Sequence, residues 1–442
     1  MKALRHGARR ALCLAGLLAL LGGARAASAN GAFPDEFSVH FPSNGPHRIY
    51  LGANFGLIVS EDDGATWRYA CEPWVTAGSS AALSGANVSF YQLTADGAVL
   101  AQATEITRSD NDACSWPAST GVVTGLPISD IFADPNDASF VIAVIDQAAG
   151  TYITQSHDGG RTFVNPPLYE TSDLITGIEI SRSAPSVIYA TTISASGGAS
   201  KFLRSADGGK TWAVTTLPSK SGVQPVILQI DPEDADTVYL RYTGGLTSTG
   251  TLTDDIAVTT DGGHTFNTIL TINSQFSAFL RAGDGALYAG SLDNLYVKPK
   301  GAASFTSHKG PHFRCLGQRP GTSRIFACGD LGIDGFSLGY SDDNGATFHR
   351  MMDFTDILGP LTCEPLQTAC QAHWARIKEV LGIGAVADGG TPDAGTPDAG
   401  GTSDGGTVTP PKPGGSHCAT GGAGITLSVL GLLALLFRRY SR

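Results

Sequence analysis

The sequence is short of charge, and shortest of positive charge. Charged residues make up 16% of 442, and 29 Lys and Arg stand against 40 Asp and Glu, a net of −11. Phosphate binding needs a basic surface, so nucleic acid is excluded as a partner, and no basic groove interleaved with aromatics contradicts this. The cysteines form no Cys-x-x-Cys and the histidines no cluster, so nothing has the donor spacing of a metal site. Neither metal nor other cofactor is expected. The apolar run Ala11–Leu21 is too short to span a bilayer comfortably. What is abundant is glycine, 56 residues, which points to many tight turns in an all-β chain with few helices.

One turn recurs. Ser205–Trp212 reads SADGGKTW between two strand-like runs, Lys201–Arg204 and Ala213–Leu217. Gly-Gly permits positive φ, and the Ser and Asp side chains can bond back to the turn's own amides. Ser60–Trp67, Ser156–Phe163, Thr259–Phe266 and Ser341–Phe348 repeat the pattern; Ser109–Trp116 and Lys298–Phe305 are weaker copies. Starts at 60, 109, 156, 205, 259, 298 and 341 give a period of strands that marks β-propeller blades. The fold expected is therefore all-β: a seven-bladed β-propeller of four-stranded blades over 36–355.

The pattern resembles the Asp-box (BNR) repeat of sialidases, sortilin-type receptors, some xyloglucanases and the photosystem II assembly factor family. By that resemblance Ser60, Asp62, Gly64, Trp67, Ser156, Asp158, Gly160, Phe163, Ser205, Asp207, Gly209 and Trp212 are structural. So are Asp261, Gly263, Phe266, Ser341, Asp343, Gly345 and Phe348. The acids lack the ligand ladder and bidentate Glu of a calcium loop. The boxes are turns between third and fourth strands, and the family's geometry puts ligand and catalytic sites on the opposite face. That face collects the links Glu72–Gly78, Asn165–Asp173, Ser219–Gln224, Asn273–Gln275 and Thr306–His312. It also collects the loops Ala53–Gly56, Asp146–Thr151, Ser194–Ser200, Gly244–Asp255 and Gly329–Gly335.

None of these segments holds arginine, the side chain suited to a substrate carboxylate, and the sialidase Arg-Ile-Pro motif is matched only by Arg48-Ile-Tyr. A sialidase is disfavoured. A glycoside hydrolase would need two facing carboxylates. Glu170 or Asp173, with Asp254, Asp255, Asp330 or Asp334, are the candidates; solvated loop acids are the competing reading. The preferred expectation is a monomeric propeller binding a surface glycan or protein, with the hydrolase as rival and a scaffold without soluble ligand as a third reading.

The chain's ends suggest export. Residues 1–29 have a basic start, an apolar run and small-residue cleavage sites, as a signal peptide does. Residues 356–384 read as a cap with a helix Ala372–Leu381, and 385–417 as a flexible Gly/Thr/Pro/Asp stalk. Residues 418–442 run from Cys418 through an apolar segment to Arg438 and Arg439. This resembles the MYXO-CTERM sorting signal of myxobacterial surface proteins, which implies cleavage near Cys418, lipidation there and display at the cell surface. An ordinary single-pass anchor is the alternative. Either reading makes the membrane a partner through this segment. Six cysteines remain for the folded part, as an oxidising compartment allows. Cys315 with Cys328 is expected across a hairpin and Cys363 with Cys370 by nearness, which leaves Cys71 with Cys114.

Overall fold

The computed structural model describes residues 36–78, 90–148, 150–218, 224–246 and 252–383. The proposed signal, stalk and sorting segments lie outside them. The described strands form seven sheets, one per blade, each built on an antiparallel meander from inside to outside, with a parallel strand added at the outer edge of two. The innermost strands are Glu36–His40, Phe90–Leu93, Ile128–Ala133, Leu174–Ile180, Gln224–Ile230, Phe276–Arg281 and Cys315–Gln318. Each touches the next around the ring, and Cys315–Gln318 touches Glu36–His40 to close it.

Burial explains the sequence pattern of the strands. Second strands such as Ile188–Ile193 and Leu287–Ser291 are covered on both faces by neighbouring blades, so they are nearly continuous apolar or small runs. Outer strands such as Ala213–Thr216 are mostly exposed and polar. Apolar layers fill the spaces between blades; Ile142, Val144 and Ile153 of blade III pack with Ile178, Ile188 and Leu203 of blade IV. Each such side chain stabilises the ring by about 1.5–3 kcal/mol.

Three blades depart from the four-stranded plan. Blade II has three strands, and beyond its turn only the single bridge Thr107 to Ala118 continues the ladder. Pro117 supplies no N–H at that point, which breaks a regular fourth strand. Thr120–Gly121 instead runs parallel to the fourth strand of blade III. His349–Met352 completes blade VII as its fourth strand; the chain then crosses back, and Ile357–Pro360 adds a fifth, parallel strand outside Trp67–Cys71 of blade I.

The helix begins earlier than expected, at Leu366, and ends at Leu381. Leu366, Cys370, Trp374 and Ile377 are its buried residues, and Trp374 meets Tyr69 with ring centroids 5.5 Å apart. Two disulfides fix this segment to the first two blades, Cys71–Cys370 and Cys114–Cys363; Cys315–Cys328 bridges its hairpin. Cys363–Cys370 and Cys71–Cys114 do not form. The two C-terminal cysteines are close in sequence, but each faces a different blade once the segment docks.

Candidate functional site

The repeated turn fixes which face is which. In blade IV, Ser205 Oγ donates to Asp207 Oδ1 at 2.8 Å and accepts from Gly209 N at 2.8 Å. Asp207 accepts from Thr211 N and Thr211 Oγ1, at 2.8 and 2.6 Å, and Trp212 Nε1 donates to Gly209 O at 3.0 Å. These hydrogen bonds hold the Asp207 carboxyl down at about 2. The same network recurs around Asp62, Asp158, Asp261 and Asp343, and all four carboxyls lie below their ordinary value. In blade II, Asn111 takes the acid's place, accepting from Ser115 N at 3.0 Å, and Ala113 takes the glycine's at φ 68°. The turn also bonds to the turn between the first two strands of its own blade: Asp63 N to His47 O, Gly159 N to Ser139 O, Gly208 N to Ser186 O and Gly262 N to Asp236 O. Both turn types therefore share one face. Antiparallel alternation puts the second-to-third loops and the blade links on the far face.

The candidate carboxylates lie in blades III, V and VII and in the link between blades III and IV, and three of them are not in loops. Glu170 belongs to the strand Thr162–Thr171, paired with Tyr152, and is exposed. Asp254 and Asp255 belong to the strand Leu252–Thr259. Asp254 is fully buried and accepts from Arg241 Nε at 2.9 Å, Arg241 Nη2 at 2.6 Å and Phe276 N at 3.0 Å. Burial pushes the Arg241 guanidinium below its ordinary value, against the opposing pull of Asp254. Asp255 accepts from Thr271 Oγ1. Asp173 follows Thr171 in the link and receives Lys201 Nζ at 2.7 Å. Asp330 caps a short helix, Leu331–Asp334, through Gly332 N at 2.9 Å, with Arg314 Nη2 at 3.4 Å. Asp334 accepts from the backbone N–H groups of His312 and Asp330, both at 2.8 Å. Five of the six are thus engaged by local partners.

Sequence reasoning missed two features. The first is a set of bridges between adjacent inner strands. Asp130 Oδ2 accepts from Ile178 N at 2.9 Å, Glu179 Oε2 from Ile230 N at 3.1 Å and Gln229 Oε1 from Arg281 N at 3.0 Å. Glu179 and Gln229, polar residues at the same place in successive inner strands, were an available signal; Asp130 lies two residues earlier, and Phe132 holds that place in blade III. The second is the central channel. Gln92 lines three cavities along it: one of about 230 Å³ towards the far face, one of about 180 Å³ beside Arg241 and Glu179, and one of about 520 Å³ opening among the turns at Pro42, Pro135 and Pro320. Among the described residues no group of three or more His, Cys, Asp or Glu is placed to hold a metal ion, and no helix is long and apolar enough to cross a membrane.

No family model matches the chain, and no curated protein matches it. Among solved structures it is similar to YCF48 bound to D1 peptide, at 17% identity over 51% of this chain and 66% of that one, with a TM-score of 0.35. It is also similar to YCF48 from Cyanidioschyzon merolae, at 14% identity over 67% of this chain and 93% of that one, with a TM-score of 0.48. A third is the GH74 xyloglucanase from Xanthomonas campestris, at 13% identity over 76% and 80%, with a TM-score of 0.36.

Proposed function

We propose that this is a non-catalytic Asp-box propeller, exported and held at the cell surface, that binds a glycan or protein through the face opposite its repeated turns. The observation that carries the reading is the disposition of the far-face acids. Asp173, Asp254, Asp255, Asp330 and Asp334 each serve a local hydrogen bond or ion pair of the protein's own: one in the link after blade III, two side by side on one strand of blade V, and two in one short helix and its cap in blade VII. A glycosidase needs two carboxylates flanking one sugar, roughly 5–10 Å apart. Three disulfides support assembly in an oxidising compartment. The basic, apolar start and the Cys418 segment support export and anchoring.

The far face also exposes large apolar side chains, Leu292 in blade VI and Ile333 in blade VII. The test is binding of the full chain to a glycan array and to proteins captured from the cell surface. Leu292→Asp with Ile333→Asp should weaken the interaction found, while Val214→Asp, on the exposed outer strand of blade IV, should not. The reverse order of sensitivity would refute the far face as the binding surface.

A further inference from the structure

The covalent path through the molecule is far shorter than the chain itself. Cys71 ends the fourth strand of blade I, and Cys370 lies in the C-terminal helix 299 residues later; their disulfide joins blade I directly to the helix. Cys114–Cys363, with a separation of 249, lies inside that loop and ties the same segment to blade II. We propose that Cys71–Cys370 is a covalent shunt for mechanical load. Tension across the folded part passes through blade I and the helix and bypasses the ring from blade II to blade VII. The role this serves, holding a bound partner against a pull on the C-terminal tether, rests on the proposed surface anchoring.

A chain under tension extends along its shortest covalent route. A residue inside a closed loop bears load only after the bond that closes the loop has broken. From Glu36 to Ile383 that route runs to Cys71, crosses to Cys370 and ends at Ile383. It holds about 50 residues, a contour of roughly 170 Å.

A pull on the C-terminal side unwinds the helix backwards from Leu381, and Cys370 stops it within about three turns. Without that stop the pull would strip Ile357–Pro360 from the edge of blade I and then peel His349–Met352 from blade VII. Each of these strands is held by a single ladder. Cys71 and Cys370 are both buried, which shields the bridge from thiols in solution while blade I is folded. Cys315–Cys328 spans only 13 residues and removes just a hairpin from the load.

The test stretches the full chain by its two ends in an optical trap, through peptide handles, and compares the contour gained on unfolding. The wild-type chain should gain about 170 Å from its folded part and no more. Cys71→Ser with Cys370→Ser hands the load to Cys114–Cys363, and the gain should rise to about 340 Å. Adding Cys114→Ser and Cys363→Ser should raise it to about 1,100 Å, with only the hairpin still closed. If a variant does not fold, the oxidised wild-type chain is unfolded under tension and then given dithiothreitol. The bridges, by then exposed, should open in steps of about 170 Å and about 800 Å.

A gain near 1,100 Å in the oxidised wild type would overturn the shunt. So would equal gains in the wild type and in Cys71→Ser with Cys370→Ser, or a first step of about 800 Å on reduction. Surface labelling of intact cells is read separately. Absence of the chain there would overturn the anchored reading and the role in holding a partner, whichever gains are measured.

Discussion

Ser205 shows how much one small side chain can organise. It is fully buried, donates to Asp207 and accepts from Gly209 N, so Ser205→Ala leaves an amide and a carboxylate each short of a partner. A loss of about 1–3 kcal/mol is expected from the strandedness of the amide, read as a lower urea midpoint. Gly263 is constrained twice. Its φ is 96°, and a Cβ there would meet the Phe202 ring of the preceding blade at 2.5 Å. Gly263→Ala should therefore cost about 2 kcal/mol or more, by strain and overpacking together. The turn acids also predict pH dependence. A carboxylate held below its ordinary value binds fewer protons folded than unfolded, so its contribution is complete above about pH 4 and fades as pH falls through the folded value, about 2 for Asp207. His40 acts in the same direction over a higher window: its folded value of about 4 against 6.5 means stability declines as pH falls from 6.5 towards 4. Urea midpoints measured from pH 7 to pH 2 should fall in those two stages, and a flat profile would contradict both.

At the scale of elements, the C-terminal segment is the feature that the sequence concealed. The hairpin bridge Cys315–Cys328 was legible because two strands and their turn could be read locally, and the paired positions face each other in register. The other pairings depend on where Leu366–Leu381 docks, which no local pattern reports. Asp254 was misread for a related reason: Gly244–Asp255 looks like a loop until Arg241, one strand away, supplies the charge that lets the acid be buried. The repeated turns, by contrast, hold their chemistry within eight consecutive residues and were readable at once. Cys71–Cys370 closes a separation of 299 residues, against 13 for the hairpin bridge. In the chain-entropy picture, closing the longer loop contributes on the order of 5 kcal/mol, and the nested second bridge less. Replacing Cys363 and Cys370 by Ser together should lower the thermal midpoint far more than replacing Cys315 and Cys328. Equal shifts would mean that the docked helix, with Trp374 against Tyr69, holds without its staples.

For the whole molecule, the ring sets what the far face can offer. Asp130, Glu179 and Gln229 lie on successive inner strands, but their side chains tie one blade to the next. The acids nearest the loops are likewise taken by Lys201, Arg241, Thr271 and the amides around Leu331–Asp334. The seven-bladed plan was readable from the period of the turns. The channel was not, because its walls come from many inner strands at once. The central claim is therefore a binding face without a catalytic pair. Its most direct test incubates the full chain with a broad panel of polysaccharides and glycoproteins and reads retained protein and released sugar in the same samples. The account predicts retention without release; release of sugar that disappears in Asp254→Asn or Glu170→Gln would contradict it.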